Sequence, residues 1–240
     1  MRGHFASSER PPAATLDVRA AVGAAVVLLV SLIASRAVVE ALLPREWPIA
    51  TYTGVSVLVG YGPSLLWCWA ASRRWGTGHF FADVGARLRW SDLGWGPLVW
   101  LTALAFEIAI VVIVTATNIP LTSNTEGIGG LDHDRTYILS VLLAGVVAAP
   151  LVEEIVFRGV MLRGLRSRLA ALPAVAIQGV VFGLAHVDPA RGAGNVGLVL
   201  VLSGVGIAFG GATEQLRRIG PAMIAHGILN AIALAVVLSQ

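Results

Sequence analysis

Long apolar runs separated by short polar clusters dominate the chain, and no stretch alternates with the period of two that marks a half-buried strand. Seven apolar segments, near 20–43, 50–71, 93–117, 136–162, 171–187, 194–213 and 220–238, reach or approach the roughly 20 residues that a helix needs to cross about 30 Å of hydrocarbon. The pattern predicts an all-α fold: a polytopic membrane helix bundle of about seven transmembrane helices. The ten-residue alternating segments of an outer-membrane barrel are missing, and no fixed repeat suggests a solenoid.

Composition agrees. Of the 240 residues, 56% are hydrophobic and 13% charged, with a mean hydropathy of +0.79, where a soluble domain carries about 25% charged residues. The net charge of +3 does not imply nucleic acid as a partner, because the basic residues form no single patch. All 17 are arginines, placed in short clusters between apolar runs. The lipid bilayer is the expected surrounding, and a bacterial plasma membrane the expected location. Cys68 stands alone, so no disulfide can form within the chain.

The arginines also predict an orientation. Arg2, Arg10 and Arg19 lie in a polar tail, residues 1–19. Arg73, Arg74, Arg87 and Arg89 lie in the second connection, Arg163, Arg166 and Arg168 in the fourth, and Arg217 and Arg218 in the sixth. The odd connections hold only Arg45, Arg135 and Arg191, and the third adds Glu126, Asp132 and Asp134. By the positive-inside rule the tail is cytoplasmic and the C-terminus external. The polar stretch of about twenty residues before Arg135, which includes His133, reads as a plain external connection. Gly179 with Gly183, and Gly206 with Gly210, have the spacing of close helix contacts. Arg36 and Glu40 form an expected interfacial ion pair.

Ionisable groups at membrane depth are costly and ask for a reason. Val152-Glu153-Glu154-Ile155-Val156-Phe157-Arg158 sets Glu154 and Arg158 one turn apart on one helical face, and Glu153 about 100° around it. Adjacent carboxylates in a low-dielectric setting compete for a proton, which is the chemistry of a general base. Gln178, Phe182 and His186 make a second polar stripe, and His226 with Asn230 a third. Convergence on one interior site is the least costly arrangement of these three stripes.

Glu-Glu-x-x-x-Arg, then Phe-x-x-x-His, then His-x-x-x-Asn, in this order on successive membrane helices, resembles the CPBP family of intramembrane proteases. That family includes the type II CAAX prenyl endopeptidases and bacterial proteins of bacteriocin processing and self-immunity. The resemblance covers about residues 140–238. It divides the chain into the tail, 20–135 with the N-terminal helices and loops, and 136–240 as the catalytic core. It implies an endopeptidase acting on membrane protein or peptide substrates. In that reading Glu153 activates water, Glu154 and Arg158 support it, His186 is its partner, and His226 and Asn230 bind the substrate carbonyl and stabilise the oxyanion.

Two histidines and a carboxylate, Glu153, His186 and His226, can also hold a divalent metal such as zinc. The chain has no His-Glu-x-x-His, and a metal-free water is equally consistent. Glu107 is expected to be a second partner for Arg158, a lining of a substrate path, or a packing group. Buried Glu, Arg and His also suit a proton-coupled transporter, though no inverted repeat is visible. A non-catalytic immunity or scaffold protein is the other alternative. One tension is visible beforehand: counted along the predicted spans, His186, Glu153 and His226 lie at unequal depths, ~22, ~15 and ~9 Å from the arginine-rich end.

Overall fold

The computed structural model describes residues 16–42, 47–126, 128 and 135–239. The readings made for most of the tail, with Arg2 and Arg10, and for Arg45, Asp132, His133 and Asp134 lie outside these. Helices are the regular structure of the described residues, which contain no strand. In chain order the helices are α1 (Val18–Leu42), α2 (Ile49–Trp75), a single turn α3 (Phe80–Asp83), α4 (Asp92–Ala116), α5 (Arg135–Arg166), α6 (Ala171–Leu184), α7 (Asn195–Leu216) and α8 (Gly220–Leu238). A 3₁₀ stretch, Pro189–Gly194, joins α6 to α7.

Six of these helices are long and apolar enough to span a membrane, and α6 is shorter. At 1.5 Å per residue its 14 residues cover ~21 Å, less than the hydrocarbon thickness. A turn follows it, tied to its neighbours by polar contacts. There the Gly197 N–H donates to the Pro120 carbonyl beyond α4 (3.0 Å), Arg191 reaches the Asn124 carbonyl, and Arg36 of α1 pairs with Asp188. The fifth predicted span is therefore a short helix followed by a loop. Exposed rows such as Val22, Val26, Val30 and Ile33 on α1 are faces that water would reject and lipid accepts.

α1 and α2 form a hairpin whose seam is built from small residues. The Ser31 hydroxyl donates to the Gly60 carbonyl (2.8 Å), the Ser35 hydroxyl to the Ser56 carbonyl (3.1 Å), and Trp67 fills the space above Gly23. α6 and α7 approach more closely. A Cβ on Gly206 would meet the Gly179 Cα at 2.9 Å, and one on Gly183 would meet the Val199 carbonyl at 2.5 Å. Gly179, Gly183 and Gly206 thus sit where backbones touch, whereas Gly210 makes room for the Gln178 side chain. α4 packs against α7 and α8.

One end of the bundle gathers the start of α1, the end of α2, the start of α4, the end of α5 and the α7–α8 turn. Buried Asp92 there accepts from Arg218 (2.7 Å), and the Ile219 N–H donates to the Gly85 carbonyl (3.1 Å). This end carries the arginine clusters of the even connections.

Candidate active site

α5 is not a uniform helix. Leu143–Ala148 and Glu154–Leu162 are π-helical, on either side of Ala149–Glu153. Pro150 helps explain the first of these. It has no N–H, so the carbonyl five residues before it, Gly145, has no π-helical donor. The Asn230 side-chain amide of α8 donates to that carbonyl at 2.7 Å. One N–H of the Asn230 amide is thereby used and the other remains.

Glu154 and Arg158 are both fully buried, and the Arg158 Nη1 donates to the Glu154 Oε1 at 2.9 Å. The Arg158 Nη2 donates to the Gly206 carbonyl (3.2 Å). Its guanidinium lies 4.5 Å from the Phe182 ring centre and 5.2 Å from that of Phe209, within the range of cation–π attraction. A charge out of water needs such partners. Gln178 donates to the same Gly206 carbonyl (2.8 Å), so it braces α6 against α7 and lies behind the site rather than in it.

Glu154 also meets the His226 Nδ1 at 3.0 Å. The carboxylate oxygen that accepts from Arg158 also accepts here, so the Nδ1 is the donor of this pair. The sequence reading set the Glu154–Arg158 pair behind Glu153; the structure sets it behind His226. With Nδ1 so committed, the Nε2 of a neutral His226 is an acceptor. His186 is fixed in the same way, since its Nδ1 donates to the Phe182 carbonyl (2.7 Å) and its Nε2 is left as an acceptor.

Glu153 faces away from its neighbour Glu154, as one step of 100° requires. Its Oε1 accepts from the Tyr61 hydroxyl of α2 at 2.5 Å. Its Oε2 is buried without a hydrogen bond and lies 4.0 Å from the His186 Nε2 and 3.9 Å from the His226 Nε2. Three lone-pair atoms from three helices thus face one point. A water molecule at ~2.8 Å from the Glu153 Oε2 and from an imidazole Nε2 suits these spacings, its two hydrogens serving two of the three acceptors. Zinc with bonds of ~2.0–2.1 Å sets tetrahedral ligands about 3.3 Å apart, and the two measured edges would open the ligand angles to about 150°. The donor chemistry suits zinc but the spacing does not, and the described residues include no metal-ligand cluster.

The depths that disagreed on counting are reconciled for two of the three residues. α5 continues to Arg166, which puts Glu153 ~20 Å from that end, close to the ~22 Å of His186. His226 meets them all the same, 3.9 Å from the Glu153 Oε2.

These groups line a cavity of about 790 Å³ with mostly apolar walls, to which Trp100, Glu107, Leu198, His226 and Asn230 contribute. Glu107 is not a partner of Arg158; it is part of the cavity wall. Leu121–Thr125 and Ile128 also line it, so the connection after α4 is more than a plain link. Tyr61 was missed by the sequence reading. Its one signal is a phenolic hydroxyl in the middle of an apolar span, where it must find an acceptor.

Residues 135–232 match the family model described as Type II CAAX prenyl endopeptidase Rce1-like. No curated protein and no solved structure gives a significant match.

Proposed function

On the premise that residues 135–232 are similar to the Rce1-like type II CAAX prenyl endopeptidases, we propose that this multi-pass membrane protein is an intramembrane endopeptidase. Its water is activated by Glu153. The observation that carries this reading is the unbonded Glu153 Oε2, faced by two histidine Nε2 atoms on the wall of a large apolar cavity.

A water held among these atoms gives one proton to the Glu153 Oε2 as its oxygen attacks the carbonyl carbon of a peptide bond. His226, locked by Glu154 and Arg158, holds the second hydrogen and so orients the attack. Negative charge develops on the carbonyl oxygen, for which the Asn230 N–H not used on the Gly145 carbonyl is the available donor. The proton on Glu153 passes to His186 and from it to the leaving nitrogen as the C–N bond breaks. Carboxylic acid and amine are released, and the site returns to its starting protonation. Expected before as a carbonyl donor, His226 is here a water-holding group, because its Nε2 donates only as imidazolium.

The substrate is a membrane-associated peptide whose apolar part occupies the cavity. The test uses purified protein in proteoliposomes, with a farnesylated CAAX peptide and an unprenylated membrane peptide as separate substrates. The wild type should cleave at least one of them. Glu153→Gln should lose 10²–10⁴-fold in rate while keeping its thermal midpoint. A well-folded Glu153→Gln protein with wild-type turnover would falsify the mechanism.

A further inference from the structure

A second pocket, of about 380 Å³, lies at the arginine-rich end, away from Glu153. Arg87, Arg163, Arg166 and Arg217 line it. Only Glu214 and Asp83 oppose them there, and both are already engaged. Glu214 accepts from Arg166 (3.0 Å) and pairs with Arg217 (3.3 Å). Asp83 accepts from the hydroxyls of Ser72 and Thr77, each at 2.6 Å. Among the described residues, Arg87 and Arg163 have no carboxylate within ion-pair distance, which leaves the pocket with an excess of two positive charges.

Two further observations point to an anion. Thr213 is 4% exposed and its hydroxyl, in the pocket wall, has no hydrogen-bond partner. The Arg163 Nε in the same wall is also buried without an acceptor. Both groups can donate, and what the pocket lacks is an acceptor carrying negative charge. Leu16 and Leu162 complete the wall at a level where the transmembrane helices begin and end, which is the level of lipid headgroups.

We propose that this pocket binds the phosphate of an anionic phospholipid, with Arg87, Arg163 and the Thr213 hydroxyl as its donors and Leu16 and Leu162 against the glycerol and upper acyl chain. Guanidinium groups between helices at headgroup depth are suited to this recognition. The occupant ties the start of α1, the end of α5 and the end of α7 together.

The test is the thermal midpoint of the full-length protein in neutral detergent, titrated separately with short-chain phosphatidylglycerol, phosphatidylcholine of the same chains, and inorganic phosphate. Phosphatidylglycerol should raise the midpoint at concentrations where the other two do not. Arg87→Gln and Arg163→Gln should each weaken that response about fivefold, equivalent to roughly 1 kcal/mol per arginine near a membrane surface. Arg87 is exposed, so its variant stays folded and interpretable if Arg163→Gln does not. Equal stabilisation by phosphatidylcholine, equal stabilisation by inorganic phosphate, or an undiminished response in Arg87→Gln would each overturn the assignment.

Discussion

The Tyr61 hydroxyl donates to the Glu153 Oε1 at 2.5 Å, across 92 positions of sequence. The tyrosine comes from α2, outside the segment similar to the endopeptidase family. The bond divides the labour of one carboxylate: Oε1 is held by the phenol and Oε2 is left toward the histidines.

Tyr61→Phe removes that donor and keeps the ring. A hydrogen bond to a charged group contributes about 1.5–3 kcal/mol, so turnover should fall about ten- to a hundredfold, with KM little changed. Steady-state kinetics with a single cleavable peptide reads both parameters. A variant with wild-type kcat would show that the phenol only fills space.

Glu154 and Arg158 are fully buried and pair with each other. Glu154→Gln or Arg158→Met alone should strand a charge and cost about 3–5 kcal/mol, visible as low expression and a depressed thermal midpoint. The double variant should regain much of the stability, because both charges leave together. It should stay inactive, because His226 loses the carboxylate that fixes its ring. An active double variant would contradict the role given to this pair.

Chelation addresses the zinc alternative. With the Glu153 Oε2 3.9–4.0 Å from both imidazole nitrogens, activity should survive prolonged treatment with a strong divalent-metal chelator, and added zinc should not increase it. Loss on chelation and recovery with zinc would reverse that expectation.

Asp188 at the α6–α7 corner should make stability pH-dependent. The Ala190 N–H (3.0 Å) and then the Arg36 guanidinium hold its carboxyl below the ordinary carboxylate range. A folded-state pKa lowered in this way stabilises above the unfolded value, about pH 4, and that contribution is lost as pH falls through the folded value. Asp188→Asn keeps a side chain able to cap the 3₁₀ turn and removes the charge. Its melting midpoint should lie below wild type at neutral pH and converge with it in acid. A gap that persists unchanged into acid would refute the assignment.

Much of the site was legible because it depends on spacing within single helices. Glu154 with Arg158, and His226 with Asn230, follow from one helical turn, and membrane depth made each polar residue noticeable. The contacts between helices were not legible. That Glu154 serves His226, or that Asn230 reaches the Gly145 carbonyl, depends on how two helices are rotated, and apolar runs that face lipid on several sides leave that rotation open. Pro150 was a usable sign that a carbonyl in α5 would look for an outside donor. Tyr61 lies in a span with no other ionisable group near it, so nothing connected it to the motifs. The length of α6 was misjudged because the apolar run continues past Leu184 into a turn.

The cavity wall has two origins. Glu153, His186, His226 and Asn230 lie within residues 135–232, whereas Trp100, Leu104, Glu107, Val111 and Leu121–Thr125 precede them. On the hydrolase reading, substrate choice and bond-breaking chemistry are therefore open to separate selection. Substitutions along α4 or in Leu121–Thr125 would then change which peptides fit while leaving Glu153 and the two histidines in place. Tyr61 marks the limit of that freedom, because there the part of the chain before residue 135 touches the Glu153 carboxylate.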